Sequence, residues 1–221
     1  SEDQLWSWYA EAPEQGDLRQ FLRIVLDSGL EYLGQGPGLY LSYGAYPQAD
    51  GTLVFQRGLW DAALGQVRPL VLDSIREDAS SAWLDDSTGP LHPAEGVTEP
   101  NLDKTSAYTW NKAPRLAGAV LETGALARQL INGQPLLRDA AARCGGSVYT
   151  RLLARLVELA RVVPLMEGWL LALRPGEPYY LDCQLPDNGS AVGLTEAARG
   201  ALGHWLKVEQ GRIASYQIIA P

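Results

Sequence analysis

Arg199 is the side chain in this sequence that is best placed to do chemistry. It lies in the run Ala-Ala-Arg-Gly over residues 197–200, so small residues surround it, and a predicted strand begins directly after it. A guanidinium held in this way can project its positive charge and its hydrogen-bond donors into a cavity while its backbone moves little. The residues alone leave a second interpretation open, and they favour it: Arg199 forms an ion pair with Glu196 or with another carboxylate.

Histidine, the most versatile metal ligand and proton carrier, is scarce. His92 lies in a proline-rich segment and His204 lies on a predicted strand between a glycine and a tryptophan. The sequence contains no His-Glu-x-x-His motif, no second histidine at ligand spacing and no cluster of cysteine and histidine, so it offers no zinc or iron site of its own. Each histidine is therefore better explained as a structural hydrogen-bonding group.

The two cysteines do not form a metal-binding pair in the sequence. Cys144 and Cys183 are far apart, and neither belongs to a Cys-x-x-Cys motif. A single disulfide is possible, but two reduced, small apolar side chains in a reducing compartment are the favoured interpretation.

The composition indicates a folded globular protein with a sizeable core. The chain has 221 residues, of which 46% are hydrophobic and 20% are charged, and its formal net charge is −8. This acidic balance, without any run of five basic residues, argues against nucleic acid as the main partner, because phosphate binding needs clustered lysine and arginine. The first residues, Ser-Glu-Asp-Gln, lack the basic and apolar regions of a signal peptide.

The most apolar stretch, residues 152–173, is not expected to span a membrane. Charged residues and a proline interrupt it at positions 155, 158, 161, 164 and 167. It is therefore predicted to be a buried or amphipathic helix, and no transmembrane segment is expected.

Apolar spacing and capping residues predict the helices. A stripe of apolar side chains at i, i+3, i+4 and i+7 predicts a helix from Asp17, as its N-cap, to about Leu33. In the longest predicted helix Ser147 is the N-cap, and Pro164 is expected to kink or split it. This longest helix covers residues 147–174, and the further predicted helices cover residues 73–84, 125–132 and 136–143.

Two antiparallel hairpins are predicted. Alternating residues over 39–46 and 53–56, with a turn between them, predict the first hairpin. Residues 194–221 predict the second, as a glycine turn, a strand, a short turn and a final strand, and Arg199 lies at its entrance.

The predicted fold class is α+β and helix-dominated, with a kinked long helix and peripheral antiparallel β-hairpins. Residues 85–111 and 175–192 are expected to be irregular, and a long irregular segment in a compact domain is usually functional or wraps a partner. The sequence shows no domain boundary, so residues 1–221 are predicted to form a single region.

Three strings, in the same order and at similar spacing, resemble the large subunits of nickel–iron hydrogenases of the uptake or hydrogen-sensing type. Residues 92–101 resemble the family's His-Pro-x-x-Gly-x-Thr-x-Pro loop. Residues 108–115 and 121–128 resemble Tyr-Ser-Trp-x-Lys-Ala-Pro-Arg and Glu-x-Gly-Pro-Leu-Ala-Arg, and residues 195–205 resemble Thr-Glu-Ala-Pro-Arg-Gly-Ala-Leu-Gly-His-Trp. The resemblance spans roughly residues 39–221.

The resemblance implies a nickel–iron centre that cleaves or forms dihydrogen in the intact protein. In that family two Cys-x-x-Cys pairs hold the nickel, the iron carries cyanide and carbon monoxide, and a small subunit with iron–sulfur clusters carries the electrons. Cys144 and Cys183 match neither pair. We therefore expect this chain alone to bind no nickel and to turn over no hydrogen.

The resemblance also assigns four site residues. Arg199 falls on the arginine that overhangs the metals, and Ala198 falls on the proline before it, near the diatomic ligands. Pro221 falls on a proline beside a cyanide. Ile218 falls on a residue whose backbone carbonyl helps to hold a buried magnesium or iron ion; the glutamate and histidine that complete that site are not in this sequence.

These implications favour an internal or C-terminal fragment of a hydrogenase large subunit. The alternative is a catalytically inactive, large-subunit-like scaffold or maturation protein that acts by binding partners. Because this region packs on the small subunit in an intact family member, we expect an exposed apolar surface on the fragment. The expected location is the cytoplasm, or a membrane reached through partner subunits.

Overall fold

The computed structural model describes residues 1–180 and 182–221, which form helices and small antiparallel sheets. The α-helices are α1 (Glu2–Glu11), α2 (Asp17–Ser28), α3 (Ala125–Ile131), α4 (Pro135–Cys144) and α5 (Val148–Ala172). The strands are β1 (Leu39–Ser42), β2 (Ala45–Pro47), β3 (Leu53–Phe55), β4 (Gly58–Asp61), β5 (Gln66–Arg68), β6 (Ile75–Asp78), β7 (Ala113–Leu116), β8 (Gly189–Glu196), β9 (Ala201–Glu209) and β10 (Arg212–Ile219). The predicted α+β class is confirmed.

The capping residue predicted for α5 is confirmed, and the one predicted for α2 is wrong. The Ser147 hydroxyl accepts from the Thr150 backbone N–H, so Ser147 caps α5 as predicted. For α2 the N-cap is Gly16, not Asp17, and the helix ends before Gly29, whose φ of 61° is left-handed. The predicted end at Leu33 is therefore about one turn too late.

Helix α5 runs through Pro164 as a single element. Pro164 has no N–H, so one helical hydrogen bond is missing, but neighbouring turns keep the helix continuous. The predicted split is wrong, and a bend at this position stays a prediction. In the part of the chain that the structure describes, no helix is both long and apolar enough to cross a membrane.

The predicted helix over residues 73–84 is wrong. A short 3₁₀ turn covers Leu72–Ser74, and the chain then forms β6, which pairs antiparallel with β7. Ile75 and Glu77 are buried while the residues beside them are less so, which is the period of a strand and not of a helix. Residues 75–78 form a strand and not a helix because they pair with β7, which lies far along the chain.

The closing hairpin is present as predicted, but the first one is present only in part. The strand predicted over residues 39–46 is divided in two, because β1 pairs with β4 and only β2 pairs with β3. Strands β2 and β3 form the first, and it reaches the far half of α5, where the rings of Tyr46 and Trp169 lie 4.9 Å apart. Strands β9 and β10 form the second, with Ile218 opposite His204. Strand β8 pairs along the other edge of β9 and makes a three-stranded sheet, so the loop predicted to reach Val192 ends before Gly189.

Two hydrophobic clusters form the core. The larger one lies among the helices and β1, and its members include Leu22, Val25, Tyr40, Leu126, Leu130, Leu137, Tyr149 and Leu153. The second joins the strands, through Leu41, Tyr43, Leu59, Ile75, Ala201, Trp205 and Ile219. The turn between β8 and β9 lies where α3, from the first cluster, meets the sheet of the second.

Candidate functional site

The turn that carries Arg199 is a two-residue hairpin between β8 and β9. The Ala197 N–H donates to the Gly200 carbonyl at 2.8 Å, and the Gly200 N–H donates to the Ala197 carbonyl at 3.2 Å. Ala198 and Arg199 are the two central residues, and both are exposed. The sequence therefore places a guanidinium at the tip of a closed turn.

A buried arginine on α3 donates hydrogen bonds to the backbone carbonyls of this turn. Arg128 is only 2% exposed, and its Nη1 and Nη2 atoms donate to the carbonyls of Ala197 and Ala198 at 3.0 and 3.2 Å. The same guanidinium donates twice to Glu158, at 2.7 and 2.8 Å, and once to Glu196, at 2.7 Å. Its fork thus joins α3, α5 and the turn in one network.

Burial and pairing act in opposite directions on this network. Burial lowers the pKa of Arg128, but the bonds to Glu158 and Glu196 outweigh it and the pKa is raised. Burial raises the pKa of Glu196 in spite of its bonds to Arg128 and to the Tyr43 backbone N–H at 2.6 Å. The guanidinium is therefore held as a cation between partners that are costly to leave unpaired.

Two glycines allow the turn to approach α3 closely. Gly124 has a φ of 105°, and a Cβ atom there would lie 2.9 Å from the Arg199 carbonyl oxygen. A methyl group on Gly200 would collide with the side chain of Thr123. Glycine is favoured at position 124 because the turn backbone comes so close, and at position 200 because the Thr123 side chain fills the space.

Arg199 and Ala198 line a cleft of about 400 Å³ in front of the network. Its other walls come from the β2–β3 hairpin, the start of α3 and the middle of α5, including Arg155 and Leu159. Among the described residues no carboxylate forms an ion pair with Arg199. The alternative of an Arg199–Glu196 pair is wrong, because Arg128 and the Tyr43 N–H occupy the Glu196 carboxylate.

The structure places Ile218 and Pro221 in other clefts. Ile218 is 48% exposed and, with Pro221, lines a cleft of about 380 Å³ beside Glu77 and Lys112. Pro221 also borders a cleft of about 300 Å³, which reaches Thr123 and therefore the back of the Arg199 turn. The four predicted residues thus form two groups, Ala198 with Arg199 and Ile218 with Pro221, and share no single cavity.

The donor set for a thiolate-held metal is not present among the described residues, where no three His, Cys, Asp or Glu side chains are grouped to bind a metal ion. Cys144 is reduced and donates to the Ala140 carbonyl at 3.1 Å, while Cys183 is exposed. Burial raises the pKa of the Cys144 thiol, which opposes the thiolate that a metal needs. These side chains do not fit a nickel–iron centre as its ligands.

Comparison with known proteins decides the family. The profile of nickel-dependent hydrogenases matches residues 25–221. The chain belongs to the nickel-dependent hydrogenase family. It is 29% identical to the periplasmic NiFeSe hydrogenase large subunit of Desulfomicrobium baculatum, over 92% of this chain and 44% of that protein. It is 30% identical to the uptake hydrogenase large subunit of Bradyrhizobium diazoefficiens, over 82% of this chain and 39% of the relative.

The fold agrees with solved hydrogenases. The H2-activated NiFeSe hydrogenase of D. baculatum superimposes with a TM-score of 0.76 and 29% identity, over 91% of this chain and 45% of that chain. A variant of the NiFeSe hydrogenase from Desulfovibrio vulgaris Hildenborough gives a TM-score of 0.72 and 30% identity. The family predicted from the three strings is confirmed, and the chain spans less than half the length of the relatives that it matches.

Sequence reasoning missed the Arg128 network. Arg128 is the last residue of one of the three strings, so the sequence identified the residue but did not predict its contacts. Its partners, Glu158 and Glu196, are 30 and 68 residues away in the sequence. The sequence signal that could have found it is an arginine inside the largely apolar run Ala-Leu-Ala-Arg-Gln-Leu-Ile, which the structure shows to be a helix buried at every residue.

Proposed function

We propose that this chain is part of a hydrogenase large subunit that oxidises dihydrogen reversibly to protons and electrons, and that it contributes Arg199 to the roof of the active site. The observation that carries the proposal is an exposed guanidinium on a turn whose backbone is bound by a buried arginine. Membership of the nickel-dependent hydrogenase family supports an active-site role for this guanidinium.

Arg199 suits such a role on physical grounds. A fixed cation with hydrogen-bond donors stabilises negative charge most strongly where water is excluded and where the donors need not reorganise. In this family the negative groups would be the cyanide ligands of the iron. Arg199 would supply the charge, and Ala198 would shape the wall beside it.

In the whole protein, the metals would be held by residues other than the 221 of this chain. We infer a nickel–iron centre with cyanide and carbon monoxide ligands in the whole protein, together with a magnesium or iron ion near Ile218. A lone backbone carbonyl cannot hold such an ion, which takes about six ligands. Pro221 beside a cyanide and Ile218 beside the ion stay predictions, and so does a location in the cytoplasm or at a membrane through partner subunits.

The partner would be a hydrogenase small subunit whose iron–sulfur clusters receive the electrons. The second half of α5 carries exposed apolar side chains, which supports the proposal that a partner protein packs on this helix.

The nickel content of the purified 221-residue chain tests the proposal that this chain contributes Arg199 but not the ligands of the nickel. After expression with nickel and iron in the medium, we expect well below one nickel atom per chain by elemental analysis and no hydrogen-dependent dye reduction. Stoichiometric nickel would contradict the proposal, because the described residues lack its ligands.

The coding sequence on both sides of the chain separates the proposal from the scaffold alternative. In-frame Cys-x-x-Cys pairs upstream and downstream would support a catalytic subunit. A stop codon directly after Pro221 would favour the inactive scaffold.

A further inference from the structure

We infer that Arg128 is a positioning residue for Arg199, because it fixes the backbone turn from which Arg199 projects. The inference rests on the proposed role of Arg199 and names the residue on which that role depends. Arg128 borders the same cleft but is only 2% exposed, and its guanidinium is engaged by Glu158, Glu196 and the turn, so it would act through Arg199.

The turn needs an external restraint. Two-residue hairpin loops are most stable in the primed turn types, in which the first or both central residues have a positive φ. Neither Ala198 nor Arg199 is among the non-glycine residues with positive φ. The local backbone therefore does not favour this tight closure, and contacts from elsewhere must hold it.

Arg128 supplies that restraint at the two peptide groups that precede Arg199. Its Nη1 atom reaches the Ala197 carbonyl and its Nη2 atom reaches the Ala198 carbonyl, while three further contacts fix the guanidinium itself on Glu158 and Glu196. Only a planar fork with five donors can satisfy two carboxylates and two carbonyls at once. A lysine would keep the charge and lose this geometry.

Stability alone does not account for this arrangement. A buried ion pair is often no better for stability than apolar side chains of the same volume. The distinctive result of the network is a fixed position for Ala197 and Ala198, which Gly124 assists by letting the Arg199 carbonyl come close to α3.

Limited trypsin cleavage of the 221-residue chain tests the inference without any metal. Trypsin cuts after arginine, and the closed turn must open before the Arg199–Gly200 bond can enter the protease. The control is the Arg212–Ile213 bond, next to the turn at the opposite end of β9 and also carrying an exposed arginine. The measured quantity is the ratio of initial cleavage rates at these two bonds, read by mass spectrometry.

In Arg128→Lys we expect this ratio to rise about tenfold or more, the effect of losing hydrogen bonds from a charged donor. Glu158→Gln keeps the contacts to the turn, so it is expected to lower overall stability without changing the ratio. If Arg128→Lys does not fold, the double variant Arg128→Lys/Glu158→Gln carries the test, since its single ammonium can pair with Glu196. An unchanged ratio in the folded lysine variant would overturn the inference.

A double-mutant cycle in the complete hydrogenase links the turn to turnover. If Arg128 acts through Arg199, then Arg128→Lys lowers kcat per nickel in the wild-type background and has no further effect in an Arg199→Lys background. Additive losses would overturn the positioning role. Full activity of Arg199→Lys would overturn the proposed function, while the proteolysis result would still decide whether Arg128 fixes the turn.

Discussion

At the residue scale, Arg199 combines an exposed side chain with a bound backbone. Its small neighbours and the strand after it made a projecting guanidinium predictable from sequence. Its surroundings were not predictable, because Arg128, which takes the Glu196 carboxylate, comes from another element. Neighbouring residues alone favour an ion pair of Arg199 with Glu196 or another carboxylate, but the Glu196 carboxylate is bound by Arg128, which lies 68 residues away in the sequence.

Ala198→Pro is expected to stabilise the turn. The φ of Ala198 is not positive, and its N–H donates to no group in the described part of the chain. A proline there would reduce the freedom of the unfolded chain and raise the free energy of unfolding by about 0.4 to 1 kcal/mol. Urea unfolding measures this change.

The matched control for that substitution is Ala197→Pro. The Ala197 N–H donates to the Gly200 carbonyl at 2.8 Å, so proline at this position removes a hydrogen bond that closes the turn. We expect this variant to be less stable than the wild type. Equal losses in both proline variants would contradict the described turn.

At the element scale, elements with strong local signals were predictable and those made by distant pairing were not. Ser147 and the apolar stripe fixed α5 and most of α2. Strand β6 was predicted as a helix because its partner, β7, lies beyond a long irregular segment. The loop predicted over residues 175–192 includes the first half of β8, because the sequence there, Gly-Ser-Ala-Val, shows little hydrophobic alternation.

Pro164→Ala is expected to stabilise α5. Pro164 is exposed, and in the interior of a helix it removes one hydrogen bond and crowds the preceding turn. Alanine restores the donor, so the free energy of unfolding should rise by about 1 to 3 kcal/mol. Thermal and urea unfolding measure the change, with the neighbouring exposed substitution Val163→Ala as the control expected to be near neutral.

At the scale of the whole molecule, the core covers the first half of α5 but leaves one face of the helix exposed from its middle onward. Side chains at i, i+4, i+7 and i+11 there share one exposed apolar face: Leu159, Val163, Met166 and Leu170, each more than half exposed. Such a face is typical of an interaction surface. The sequence predicted exposed apolar area from the family resemblance, but the location of this face needed the packing of the helices.

This face is expected to make the isolated chain self-associate. Sedimentation velocity should show a weight-average mass that rises with concentration, and Val163→Glu/Leu170→Glu should lower it toward that of a monomer. The charge-matched control, Leu102→Glu/Tyr108→Glu, changes exposed residues that are 73% and 76% accessible in the irregular segment. Equal behaviour of the two double variants would show that this face does not drive association.

The hydrogen uptake rate per bound nickel, measured for Arg199→Lys in the complete hydrogenase that contains this chain, tests the proposed role of Arg199 most directly. Loss of one preorganised electrostatic group predicts a fall in rate of about 10²- to 10³-fold. The nickel content should be unchanged, because Arg199 is not proposed as a ligand, and Arg212→Lys at the other end of β9 should keep the wild-type rate. A wild-type rate in Arg199→Lys would contradict its place in the roof of the active site.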